Sequence, residues 1–369
     1  MIIYKNYYIV VLLSSFFALL AQIFAQNKNE EFKLNKLFYF LSFCILFFYL
    51  GFRNFGIGID DYTYDYIFQN VSNSNVLTYF INSGMEPGYL ILNKIIGLFT
   101  KDFQVVICVC AFISLLFIYK GMVYERKHVN YFLSFFLFGT IVYPYFFGII
   151  RLSLALSIIF YAYTFFFEKK YKYYTLFVLL ASIFHYSSLV MLLLLILPKK
   201  ELSTSLLRKA YLYLIVLLPF AFYLVSKIVV PLLNSRYSNY IISNSLSLNF
   251  GDIDKLLILI LCYMFYDNLN KVTTNSKIYI FLYAISIILS ICSMFISFGR
   301  TQWYFNILIC ILLPLIIKSI TKYGKYKYYS LIVIPLVIIY GFIYSIKMTD
   351  VNSKVVNFGN YDNILINNK

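Results

Sequence analysis

Residues 174–197 read YTLFVLLASIFHYSSLVMLLLLIL. The run is apolar enough and long enough to cross a bilayer, which takes about 20 residues of helix. Lys169, Lys170 and Lys172 precede it, and Lys199, Lys200, Arg208 and Lys209 follow. Loops rich in lysine and arginine stay on the cytoplasmic side of a membrane. A single crossing here would put one cluster outside and invert every later loop, including 318–327 with its four lysines. A segment that enters and returns keeps all of them inside, with its turn at the polar group His185-Tyr186-Ser187-Ser188. Irregular backbone at membrane depth is tolerated only where it lines protein or a water cavity. Residues 174–197 are therefore expected to form a re-entrant or broken helix pair with His185 at its tip.

The surrounding chain has the same character. Of its 369 residues 62% are apolar and only 12% are charged, with a mean hydropathy of +0.80. A soluble domain carries about 25% charged residues to solvate its surface. Half that supply leaves a surface that faces lipid. Apolar runs near 2–25, 37–52, 104–119, 131–147, 149–167, 211–230, 255–269, 278–298, 301–317 and 329–346 predict an all-α polytopic transmembrane helical bundle. About 10–12 spans are expected, one or two of them re-entrant or broken. Residues 2–25 are longer than the apolar core of a signal peptide and lack a small-x-small cleavage site, so they read as an uncleaved first span. No repeat or long Gly/Ser or Pro linker divides the chain, and 1–369 is expected to be a single integral membrane domain.

The net charge of +16 does not indicate nucleic acid, which needs basic residues gathered on one soluble face. Here they fall in short clusters between apolar runs, as in cytoplasmic loops beside an anionic leaflet. The segments 120–130, 168–173, 199–210 and 318–327 are accordingly cytoplasmic. The stretch 53–103 is external: Arg53 meets Asp60, Asp61, Asp65 and Glu86, and 87–99 is too short to span and reads as an interfacial or re-entrant helix. The nearly neutral loop 231–254 also suits the outside. All six cysteines lie in apolar stretches without metal-site spacing and behave as small hydrophobes.

This sidedness places Arg53, Arg151, Arg236 and Arg300, four of only six arginines, on the side away from the lysine clusters. The reversal of the usual bias needs a reason. Arg53, in GFRNFGIGIDDYTY (51–64), reads equally as part of an anion site with neighbouring carboxylates and as an interfacial Arg–Asp pair closing a span. Arg151 follows Pro144 and Gly148 and opens a span, where helix amides favour an anionic ligand. His185, a satisfied core residue in a soluble protein, must face a cavity or partner here, as general base or as hydrogen-bond donor to an anion. Arg300 stands beside Trp303, Tyr304 and Phe305, aromatics that serve as interface belt or stack on sugars. Tyr237 and Tyr240 beside Arg236 read the same way, and His128 reads as inert. No Walker motif, dinucleotide fingerprint, Asp-x-Asp pair or His-Glu-x-x-His is present, so no metal and no cofactor is expected. External arginines with a histidine and carboxylates suit a substrate bearing a pyrophosphate in the outer leaflet.

The ordered motifs resemble the EpsG/Wzy-type family of bacterial exopolysaccharide and capsule polymerases. They are Arg53 with Gly58-Ile59-Asp60, Tyr64 and Phe68; Glu86-Pro87-Gly88-Tyr89 with Leu92-Asn93; and Phe147-Gly148-Ile149-Ile150-Arg151 with Ala155. Phe184-His185-Tyr186-Ser187-Ser188-Leu189 follows, and then Arg300 with Tyr304-Phe305 and Pro314. Ile59 stands where the family commonly has threonine, and Leu152 where it often has glutamine. The resemblance covers about 40–320 and implies a GT-C-like helical architecture in the bacterial cytoplasmic membrane, with the active site on the external side. It implies glycosyl transfer between undecaprenyl-pyrophosphate-linked oligosaccharides, alongside a flippase and a chain-length regulator as partners. In that scheme Arg151 and Arg300, helped by Arg53, stabilise the pyrophosphate leaving group, and His185 or Asp60 takes the acceptor proton. Asp61, Glu86, Arg236 and Tyr304 bind or orient sugar. A flippase for the same lipid-linked sugar would want internal repeats and a polar pathway across the whole membrane. A glycan ligase would share the helical architecture, and a purely structural subunit would not need the external arginines.

Overall fold

In the computed structural model, the described residues are 2–25, 32–196, 250–292, 300–323 and 328–349. They are helical with no strand among them. Seven of their helices are long and apolar enough to cross a membrane: Asn6–Phe24, Leu34–Gly51, Phe103–Tyr124, Tyr131–Gly148, Ile150–Phe167, Trp303–Tyr323 and Tyr329–Thr349. The chain is thus an all-α polytopic bundle. The expected span 211–230 lies outside the described residues. The expected span 255–269 is two helices, Phe250–Met264 and Tyr266–Val272. The second carries Asp267, Asn268, Asn270 and Lys271 and buries only Leu269, which suits a surface turn better than a lipid crossing.

The helices gather into two compact units, residues 1–189 with 328–369, and residues 190–327. In the first unit, α1 (Ile2–Phe24) and α2 (Phe32–Gly51) pair side by side. Small hydroxyls hold them: Ser14 Oγ and Ser42 Oγ lie 2.9 Å apart, and the Tyr119 hydroxyl sits 2.7 Å from Ser42 Oγ. Such interhelical bonds stand in for the hydrophobic driving force that lipid removes. Three short helices follow, α3 (Asp61–Asn73), α4 (Val76–Ser83) and α5 (Pro87–Gly97). Tyr64, Ile67, Phe68 and Val71 form the buried stripe of α3. They pack on Tyr89, Leu90 and Ile96 of α5 and on Phe103, Val106 and Ile107 of α6 (Phe103–Tyr124). Lys94 Nζ closes this group by donating to the carbonyls of Ser72 (3.1 Å) and Ser74 (2.8 Å) at the end of α3, where exposed carbonyls favour a cation.

The next span is interrupted. α7 (Tyr131–Leu137) runs into a π-turn at Phe138–Val142 and resumes as α8 (Tyr143–Gly148). Pro144 lacks the amide that would bond one turn back, and the wider turn just before it absorbs the mismatch. α9 (Ile150–Phe167) starts immediately after and packs on α6 and on α10 (Tyr171–Ser182). The helix then breaks at residues 183–185 and continues as a 3₁₀ helix over Tyr186–Ile196. Within the described residues 174–196, the helix is thus interrupted at 183–185, beside His185.

The first unit has two distinct ends. At one, Gln22 donates to the carbonyls of Arg126 and Val129 (2.7 and 2.6 Å) and accepts from Tyr131 N (2.8 Å), while Tyr124 stacks on Phe167. That end carries the basic loops 125–130 and 168–170. At the other, Gln104 Nε2 donates to Gly51 O (2.6 Å) and Arg53 to Phe147 O (2.9 Å). The second unit contains α11 (Phe250–Met264), α12 (Tyr266–Val272), α13 (Ser276–Cys292), α14 (Trp303–Asn306) and α15 (Ile309–Tyr323), the last almost wholly buried.

Gly121 sets the α6–α9 spacing, since a Cβ there would lie 2.6 Å from the Phe160 ring. Gly121→Leu is expected to cost about 1–3 kcal/mol through overpacking. Leu331→Ala, on an exposed helix face, should stay within about 0.5 kcal/mol. Thermal unfolding of the detergent-solubilised protein distinguishes the two.

Candidate functional site

The Arg53 guanidinium is fully buried. Its Nη1 and Nη2 donate to Asp61 Oδ2 (2.5 Å) and Oδ1 (2.8 Å), and Nη2 also donates to Phe147 O (2.9 Å). Asp61 in turn accepts the backbone amides of Gly58 (2.9 Å) and Gly56 (3.2 Å). A Cβ on residue 58 would fall 2.1 Å from Phe147 O, so the loop closes against α8 only because glycine is there. Both charges are spent inside the protein. Arg53 and Asp61 thus act as a clamp fixing the 53–61 loop to the α8–α9 junction, and neither presents surface to a substrate. Arg53 Nε has no partner among the described residues, and Arg53, Ser114 and Ser153 line an adjoining cavity of about 10 Å³, room for about one water.

Two residues past that junction stands Arg151. Its Nη1 pairs with Glu86 Oε2, its guanidinium carbon lies 5.7 Å from the Tyr64 ring centroid, and its buried Nε has no partner among the described residues. Only one of its five N–H donors meets the carboxylate, and the side chain remains 19% accessible. Glu86 is the residue before α5, with Pro87 at the helix start. Gly88 N donates to Ile183 O (2.8 Å), and a Cβ at 88 would strike Ile183 at 2.7 Å. This contact seats Glu86 and Arg151 beside the break that carries His185. There Ser187 Oγ lies 2.8 Å from His185 Nδ1, and Ser187 N–H donates to the same nitrogen (3.4 Å). Nδ1 is then the accepting nitrogen, and a neutral imidazole carries its proton on Nε2.

Asp60, partly exposed, directly precedes α3 and makes no side-chain cap bond to it. Arg53, Asp60, Asp61, Glu86, Arg151 and His185 therefore all belong to the first unit, and the contacts above link Glu86, Arg151 and the His185 turn. Arg300 and Tyr304 belong to the second unit, Arg300 exposed and Tyr304 fully buried. Arg236, with Tyr237 and Tyr240, lies outside the described residues. The buried Lys255 is a residue that the sequence reading passes over. Its Nζ donates to Ser290 Oγ (2.9 Å) and Gln302 Oε1 (2.8 Å), tying α11 to the turn after Arg300. A lysine opening an apolar run was the available signal.

Arg53→Met leaves the buried Asp61 unpaired and should cost about 3–5 kcal/mol, whereas Arg53→Met with Asp61→Leu should recover most of that loss. Thermal unfolding of the two purified variants checks this. A double variant no more stable than the single one would contradict the clamp.

No curated protein and no solved structure matches the chain. A model of the EpsG family matches residues 36–362, nearly the whole chain and all of the site residues above. The chain belongs to the EpsG family, and is a multi-pass membrane protein of the polysaccharide-polymerase type.

Proposed function

We propose that this chain polymerises undecaprenyl-pyrophosphate-linked oligosaccharide repeat units into exopolysaccharide or capsule, at the outer face of the bacterial cytoplasmic membrane. The observation that carries this reading is Arg151: a partly accessible guanidinium at the start of a candidate span, flanked by Glu86 and Tyr64, with a buried Nε that has no partner among the described residues. An anion with several oxygens would complete it. Sidedness rests on the two ends of the first unit, the lysine-rich loops at one and Arg151 at the other.

In the reaction, an acceptor hydroxyl of one repeat unit attacks the anomeric carbon of the growing chain. The bond from that carbon to the lipid pyrophosphate breaks, and the pyrophosphate leaves with the electron pair. Arg151 is placed to bind the charge that develops on the leaving oxygen, where prepositioned donors act most strongly. His185, protonated on Nε2, is suited to donate to a sugar or phosphate oxygen. The acceptor proton then goes to a carboxylate, and Asp60 is our choice. Glu86 orients Arg151, while Arg53 and Asp61 hold the frame. Arg236, Arg300 and Tyr304 remain proposed substrate-binding residues on the strength of the sequence motifs alone, and a flippase and chain-length regulator remain proposed partners.

Arg151→Lys keeps a cation beside Glu86 but loses the planar fork. Polymer yield in the native host should fall about 100-fold at unchanged protein level, with single lipid-linked repeat units accumulating outside the membrane. Normal chain lengths would refute the reading, and repeat units confined to the cytoplasmic side would point to a flippase. His185 offers a second test. A glutamine amide can replace an Nε2 donor, whereas it cannot replace a base. His185→Gln should therefore retain several-fold more polymer than His185→Ala, and equal loss in both would assign the base role to His185.

A further inference from the structure

The opposite end of the first unit contains a cavity of about 440 Å³ between the ends of α1, α2, α6 and α7. Its polar lining is cationic and hydrogen-bonding: Lys36, Arg126 and Lys127 surround Gln22, Tyr39 and Tyr131. The walls are built rather than incidental. Gln22 is fixed by three bonds to the 126–131 backbone, and Tyr39 donates to Tyr119 O (2.6 Å). The one acid of the 125–130 loop, Glu125, is buried and turned to His128 Nδ1 (2.9 Å). Beside the cavity, Ile23, Leu37 and Phe40 are 49%, 48% and 60% exposed on α1 and α2. A cationic chamber flanked by an apolar, lipid-facing surface fits an amphiphile with an anionic head.

We infer that this cavity is a binding site for the phosphate headgroup of an anionic phospholipid, with the acyl chains lying along Ile23, Leu37 and Phe40. Basic pockets between membrane helices on the cytoplasmic side take such headgroups. The apolar flank selects a lipid over a soluble phosphate compound, which would leave it unused. This site is separate from the Arg151 end and does not depend on the chemistry proposed there.

The test uses the full-length protein in detergent, with phosphatidylglycerol and phosphatidylcholine competing for it, read by native mass spectrometry. Phosphatidylglycerol should be retained about tenfold in preference. Lys36→Gln/Arg126→Gln/Lys127→Gln should abolish that preference, while Lys169→Gln/Lys172→Gln, in the loop 168–170 and the first turn of α10, should keep it. If the triple variant is not recovered folded, Arg126→Gln alone should lower the preference about threefold. Equal retention of the two lipids, or a preference that survives loss of the cavity cations, would overturn the assignment. Inorganic phosphate supplies the last arm: displacement of the lipid by millimolar phosphate would identify a soluble-anion site instead.

Discussion

The buried pair of Arg53 and Asp61 joins two parts of the chain that would otherwise be independent. One is the glycine-rich loop 53–61 that leads into α3, and the other is the carbonyl of Phe147 at the end of α8. Two charges taken out of water cost several kcal/mol each unless geometry and extra hydrogen bonds compensate. Here the bidentate pairing, two glycine amides and one carbonyl supply that compensation. The junction it holds is the point from which Arg151 enters α9. Packing of α3 on α5 and of Gly88 on Ile183 then brings Glu86 and the His185 turn to the same place.

Two arginines of the same type near span ends therefore do different work. Arg53 has its charge neutralised and its forked end occupied, so it positions. Arg151 meets Glu86 through one nitrogen and lies beside Tyr64, with partial access and an Nε that has no partner among the described residues, so it is the one equipped to take a ligand. The contrast with the far end of the unit is electrostatic as well. There the cations are lysines and a loop arginine around a chamber, suited to a headgroup rather than to a reacting pyrophosphate.

Much of this was legible in the residues, and the remainder was hidden for a definite reason. Hydropathy located the seven helices long enough to cross a membrane, because lipid leaves a continuous apolar signature, and the polar group at 185–188 stands beside the interruption at 183–185. Partner identity was not local. Arg53 reads evenly as anion site or structural pair until Phe147, 94 residues away, is seen to accept from it; Glu86 and Arg151 are 65 apart. The π-turn before Pro144 and the division of 255–269 at Phe265 are settled by backbone geometry and packing, which periodicity cannot report. Lys255 was overlooked because one lysine near a span end looks like a snorkelling residue until its bonds to Ser290 and Gln302 are known.

In the proposed reaction, Arg151 binds the lipid pyrophosphate. Equilibrium binding of undecaprenyl pyrophosphate to the purified full-length protein tests it most directly, with undecaprenyl monophosphate for comparison. The pyrophosphate should bind more tightly, with a loss of about tenfold or more in Arg151→Lys and no change in thermal stability. Equal affinity in the wild type and the variant would contradict it.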